Sequence, residues 1–208
     1  MISLHNTKFG PQAVAPGLQE TNSPVFASLI ETMGKKANLV ILDLGPARAA
    51  NLELLSQFRC RLFIEDAHEL IPALTGDPVS DKIVLQNWLA QWTAGTDNEL
   101  IDVMLAWDIF NYLDASLCST FLEHVMPLLK PGAHLYLLVY SQKEMPAQPM
   151  QFKIVSTDKM VCQPLTGATR PSPRFNQTDL KKHLRGFSVV KSVLLRNGMQ
   201  EYLLKRAD

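Results

Sequence analysis

Residues 38–67, NLVILDLGPARAANLELLSQFRCRLFIEDA, constrain the architecture of this chain more than any other stretch. Leu39 to Leu44 form a short apolar run closed by turn residues, the mark of a buried strand. Leu52, Leu55 and Phe58 then recur at helical spacing, and Arg61 to Ile64 resume a strand that ends in Glu65 and Asp66. Strand, turn, helix and strand in this order are the first half of a βαβ unit. Such units build an α/β fold, a mostly parallel sheet with helices on both faces. Their ligands sit at the carboxyl ends of the strands. There the first turn approaches the ligand, and an acid after the second strand accepts hydrogen bonds from ribose hydroxyls. Asp43 and Glu65 stand 22 positions apart, close to the separation of roughly 20 found in these units. The turn GPARAA, however, has only one glycine, Gly45.

The rest of the chain extends the pattern. Residues 1–22, with Gly10, Pro11, Pro16 and Gly17, read as a loose arm. Ser23 before Pro24 predicts a helix start, and Val25, Phe26, Leu29, Ile30 and Met33 line one face up to Gly34. Helices are expected over Ala67 to Leu74, Ser80 to Trp92 and Ser116 to Leu129, and strands over Ile101 to Trp107 and His134 to Tyr140, the latter after a Lys130-Pro131-Gly132 turn. No strand is evident between Asp66 and Ile101, so one βα repeat is shortened or replaced by helix. Five prolines between Ser141 and Pro173 flank a hairpin-like FKIVSTDKMVCQPL, an insertion within a single domain spanning 1–208. The insertion, taken as residues 141–175, could serve as a lid or as simple surface covering. Thr178 can cap a helix through Leu184 with Gly186 as its stop. Asn197-Gly198 between two alternating runs signals a closing antiparallel hairpin.

Composition narrows the functions. Twenty basic and twenty acidic residues in 208 leave no net field to draw in nucleic acid or an anionic membrane. No stretch approaches the ~18 consecutive apolar residues of a membrane span, and the first residues lack a secretion pattern. Cys60, Cys118 and Cys162 are odd in number and far apart, and the five histidines form no ligand pair, so no metal site is expected. A reduced, cytoplasmic protein is the expectation.

The segments ILDLGPARAA (Ile41 to Ala50), LFIEDA (Leu62 to Ala67), IDVMLAWDIFNYLD (Ile101 to Asp114) and LLKPGAHLYLLV (Leu128 to Val139), in that order and closed by a hairpin, resemble the class I S-adenosylmethionine-dependent methyltransferases. The resemblance spans roughly Asn38 to Arg206. It implies a Rossmann-like sheet, mostly parallel, whose last strand is antiparallel. It also implies S-adenosylmethionine as cofactor and a small-molecule or possibly protein methyl acceptor. In the family's D-x-G-x-G-x-G turn, Asp43 and Gly45 match, while Ala47 and Ala49 take the later glycine places. If Ala47 sits at ordinary φ the cofactor fits; if its φ must be positive, the pocket is compromised. Pro46 removes one N–H donor from the turn.

The resemblance puts Asp43, Gly45, Ala47, Glu65, Asp66, Trp107 and Asp108 at the cofactor, with Glu65 on the ribose, and Asn111 and Tyr112 toward the acceptor. Glu65, Asp43 and the loop after Trp107 also have a plainer reading. Glu65 could stabilise a helix N-terminus, Asp43 could satisfy backbone donors at a strand end, and Ile109, Tyr112 and Leu113 could be the core face of a helical turn. No catalytic residue is assigned. The Asn/Asp-Pro-Pro-aromatic signature of enzymes acting on base amino groups is absent, which argues against nucleic acid. A non-catalytic methyltransferase-fold binding or partner module, suggested by the altered turn, is the alternative. A nicotinamide-dependent oxidoreductase is disfavoured by the terminal hairpin and the missing GxGxxG.

Overall fold

The computed structural model describes residues 20–93, 99–163, 167–173, 175 and 177–207. In chain order the elements are β1 (Glu20–Asn22), α1 (Pro24–Gly34), β2 (Leu39–Asp43), α2 (Ala49–Leu55), β3 (Cys60–Ile64), α3 (Pro78–Thr93), β4 (Ile101–Trp107), α4 (Ala115–Val125) and β5 (Leu129–Tyr140). The insertion then supplies β6 (Glu144–Pro146), β7 (Gln151–Ser156), β8 (Lys159–Gln163) and β9 (Thr169–Pro171), and the chain closes with α5 (Gln177–His183), β10 (Phe187–Leu194) and β11 (Met199–Arg206).

Six strands make the central sheet in the order β10-β11-β5-β4-β2-β3. β3, β2, β4 and β5 are mutually parallel, and β11 runs antiparallel between β5 and β10. Every residue of β2 and β4 is buried, which is why both read as unbroken apolar runs. Their registers, Leu42↔Phe63 with β3 and Leu42↔Met104 with β4, bring the carboxyl ends of three strands level beside the turn at Gly45. β3 is the sheet edge, and among the described residues no strand lies between Asp66 and Ile101. The shortened repeat read from the sequence is therefore real in that span, apart from residues 94–98.

Several local expectations change. Ala67 to Leu74 holds only a 3-10 turn at Ile71–Ala73, because Pro72 lacks the N–H that a longer helix there would use. Lys130-Pro131-Gly132 lies inside β5, where Gly132 at φ +74° lets the register to β4 slip between Ile101↔Leu129 and Val103↔His134. Helix α4 ends at Val125, with a 3-10 turn to Leu128. Thr178 lies within α5 rather than ahead of it. The closing hairpin forms, but its loop has three residues: the Leu195 N–H bonds the Met199 carbonyl at 2.8 Å, and Gly198 takes φ +81°.

The start of α1 is held from the far end of the chain. Ser23 makes no cap through its own side chain. The carboxylate of Glu201 on β11, with 0% exposure, accepts from the Val25 N–H (3.0 Å) and the Phe26 N–H (3.1 Å), and also from the Tyr136 and Ser23 hydroxyls. The last residues of the segment expected to be a loose arm, Glu20–Asn22, pair antiparallel with β8, so β1, β8 and β7 form a separate three-stranded sheet. Residues 1–19 lie outside the described residues. Among the described residues no helix is long and apolar enough to cross a membrane.

Candidate cofactor site

Three strand ends meet at the carboxyl edge of the sheet. Asp43 ends β2, and its carbonyl accepts the Glu65 N–H at 2.8 Å, so the two acids sit at adjacent strand ends. Glu65 is part-exposed, and burial alone pushes its carboxyl above the usual range. Asp66 is turned back on the chain, accepting the His68 N–H through Oδ1 at 2.9 Å. The connecting turn needs no left-handed residue: Asn38 and Trp107 are the non-glycine residues with positive φ among those described, and neither Ala47 nor Ala49 is one. The altered glycine pattern thus leaves the turn in an ordinary conformation. Gly45 matters for a different reason. A Cβ there would lie 2.8 Å from Trp107 Nε1, so only glycine permits the indole to come so close.

Trp107 dominates the floor of the site. It ends β4 at φ +48°, a costly conformation for a bulky residue, and its surroundings hold it there. Its Nε1–H donates to Asp43 Oδ1 at 2.6 Å, its indole stacks on Phe152 of β7 (5.3 Å, 10°) and on Phe26 of α1 (6.2 Å, 29°), and Tyr136 meets it edge-on at 5.7 Å. Asp43 also accepts the Gly45 N–H at 2.9 Å. The hairpin that carries Phe152 is fixed by Asn51 of α2, which imitates a strand neighbour: its Nδ2 donates to the Phe152 carbonyl (3.1 Å) and its Oδ1 accepts the Ile154 N–H (2.9 Å). The insertion and α1 therefore close over the carboxyl ends of β2 and β4 with a stack of three aromatic rings.

Asp108 is wholly buried under the same hairpin. Its Oδ2 accepts the Met150 N–H (2.9 Å) and the Tyr140 hydroxyl (3.1 Å), while Oδ1 has no partner among the described residues. Asn111 is committed to the scaffold, donating to the carbonyls of Asp108 and Leu138 and accepting the Tyr140 N–H. The Tyr112 hydroxyl reaches the carbonyls of Gln148 (2.8 Å) and Pro146 (3.1 Å), and burial together with Asp108 holds its pKa far above normal, so it is no general base at neutral pH. Its ring instead faces a cavity of about 420 Å3 shared with Leu74, Leu117 and Pro171, with the Arg170 guanidinium 5.9 Å from the ring centre. Of the residues read from the sequence, Asp43, Gly45, Trp107 and Glu65 come together, whereas Asn111 and Tyr112 stand on the far side of the loop after β4. Sequence reasoning missed Asn51 and Phe26 as site-forming residues. The one available signal was a polar Asn51 on the buried side of a short helix.

Burial pushes the Asp43 carboxyl up to about 6, against the pull of Trp107 and Gly45, and the Asp108 carboxyl up to about 7, against Met150 and Tyr140. Both acids hold protons more tightly folded than unfolded, so stability falls as pH rises from about 4 through about 7 and is level above that. Urea unfolding at about pH 5 and about pH 8 is expected to show the fall, and Asp108→Asn, which imitates the protonated acid, is expected to remove most of it. An Asp108→Asn protein as pH-sensitive as the parent would refute the assignment.

No family profile matches the sequence, and no curated protein matches it. Solved structures do match in fold. The Burkholderia thailandensis 1,6-didemethyltoxoflavin-N1-methyltransferase, with bound 1,6-didemethyltoxoflavin and S-adenosylhomocysteine, is 14% identical, with a TM-score of 0.50 over 88% of this chain and 77% of that one. A S-adenosylmethionine-dependent methyltransferase from Clostridium acetobutylicum is 13% identical, with a TM-score of 0.50 over 90% of this chain and 93% of that one. At these identities the likeness establishes the fold.

Proposed function

From the premise that the chain has the Rossmann-like fold of the class I S-adenosylmethionine-dependent methyltransferases, we propose that it binds S-adenosylmethionine at the carboxyl ends of β2 and β3 and transfers the methyl group to a small-molecule or protein acceptor in the cytoplasm. The observation that carries this reading is the pairing of Asp43 and Glu65 at adjacent strand ends beside a turn whose alanines need no positive φ. The nucleoside end of the cofactor fits these residues: Glu65 is part-exposed at the end of β3, where its oxygens can accept from ribose hydroxyls. The methionine end does not fit the closed arrangement, because Trp107 already fills the space beside Gly45. The cofactor supplies an activated methyl on a sulfonium. The chain's part is to orient the acceptor and exclude water, for which no covalent intermediate and no fixed catalytic motif is needed. The cavity at Tyr112 and Arg170, on the loop after β4, is the candidate for the acceptor.

A second reading, a non-catalytic methyltransferase-fold module that binds a partner, is favoured by one observation: the stack of Phe26, Trp107 and Phe152 is packed as a core. Calorimetry with S-adenosylhomocysteine on wild type and Glu65→Ala separates the parts of the proposal. Glu65→Ala is expected to weaken binding about tenfold, near 1.4 kcal/mol. Binding indifferent to the substitution would remove Glu65 from the ribose and leave the fold reading intact.

A further inference from the structure

Beside the turn after β2 lies a cavity of about 510 Å3, lined by Pro46, Ala47, Arg48, Ala49, Ala50 and Glu53 and by Lys153 of the insertion hairpin. We propose that Arg48 and Lys153 form an oxyanion subsite in this cavity, suited to a phosphate group either free or carried by a nucleotide. The cavity shares Ala47 with the turn assigned to the cofactor, but the occupant differs, since S-adenosylmethionine carries a carboxylate and no phosphate.

Three observations carry it. Arg48 Nε is buried and has no hydrogen-bond partner among the described residues, so a donor has been taken from water without an acceptor in return. The ion pairs of the described residues, such as Lys130 with Asp102 and Lys159 with Glu20, do not include Arg48, Lys153 or Glu53. Two cations from separate parts of the chain therefore border one cavity without a carboxylate bound to either, and Glu53 offsets only one of the two charges. The forked N–H groups of a guanidinium match two oxygens of a phosphate, and an ammonium adds a point charge. A second buried nitrogen without a partner among the described residues is His68 Nε2; burial and the Arg48 charge depress this imidazole's pKa against the pull of Asp66. The cavity exceeds what a bare phosphate needs and falls in the usual range for organic ligands.

Calorimetric titration of the full chain with orthophosphate, adenosine monophosphate and adenosine tests this. Orthophosphate is expected to bind saturably, with affinity reduced about tenfold in Lys153→Ala and in Arg48→Gln, and unchanged in Glu65→Ala. Lys153 is half-buried and makes no ion pair among the described residues, so its variant keeps the test sound should Arg48→Gln fail to fold. Adenosine monophosphate binding more tightly than orthophosphate would identify a nucleotide as the source of the phosphate, and equal binding would identify the free anion. Absence of orthophosphate binding, or binding that ignores both substitutions, overturns the proposal. Because Glu65→Ala is silent in this titration, failure here is distinct from failure of the ribose assignment.

Discussion

Trp107→Ala is expected to lower the free energy of unfolding by about 3–5 kcal/mol, the range for emptying a tryptophan-sized site in a packed core. The indole is 1% exposed and held on four sides: Phe152 and Phe26 on its faces, Tyr136 at its edge, and Asp43 at its N–H. Its removal empties the space beside Gly45 and takes from Asp43 its shortest hydrogen bond, leaving a buried carboxyl with the Gly45 N–H. That carboxyl already titrates near 6 because of burial, and loss of the indole donor should raise it further. Trp107→Phe separates the two contributions, since it keeps most of the ring and loses the donor. It is expected to cost about half as much. Urea melts of the three proteins read both effects. A Trp107→Ala protein within about 1 kcal/mol of wild type would mean that the aromatic stack does not close the site.

Glu201→Ala is expected to cost about as much by a different route. The carboxylate gathers two N–H groups from the first turn of α1 and two hydroxyls, all in the interior. Alanine leaves these four donors buried without this acceptor, at about 1–3 kcal/mol each where water cannot reach them, so a total of at least about 4 kcal/mol follows. The two N–H groups are among the four that any helix start leaves unbonded, and Glu201 stands in for the serine or aspartate that would ordinarily cap them. Glu201→Gln keeps one acceptor oxygen and is expected to lose less. Since α1 also supplies Phe26 to the stack on Trp107, Glu201→Ala should loosen the closed site as well as the helix. Thermal unfolding followed by tryptophan emission reports both events. A Glu201→Ala protein as stable as wild type would show that water or a rotated Ser23 takes over the cap.

Much of this architecture was legible because it is local. β2, β3 and β4 announce themselves as short apolar runs, α1 begins at Pro24, the insertion carries its prolines, and Gly198 marks the closing hairpin. That the described residues hold no strand between Asp66 and Ile101 was legible for the same reason, as a stretch without a strand-like apolar run. The features that decide the site were not legible, because each joins residues far apart in sequence. Glu201 caps a helix that begins 177 positions earlier, Asn51 pairs with a strand about 100 positions later, and β1 finds its partner in the insertion. Trp107 looked like the end of a strand beside a cofactor. Its contacts with Phe26 and Phe152, which turn it into the closure of the site, depend on two segments with no periodic relation to β4. The alanines of the turn show the converse. They looked like a loss, yet their backbone is ordinary, and the one glycine that remains is the one the indole requires.

The most direct test is calorimetric titration of the wild-type chain with S-adenosylmethionine and S-adenosylhomocysteine, with folding checked in the same sample. The proposed function predicts saturable one-to-one binding of both ligands with dissociation constants on the order of micromolar, about 8 kcal/mol. It also predicts a change in tryptophan emission that Trp107→Phe removes, because the Trp107 indole fills the space beside Gly45 and would have to move to admit the ligand. Folded protein that binds neither ligand would contradict it and leave the chain a methyltransferase fold put to non-catalytic use.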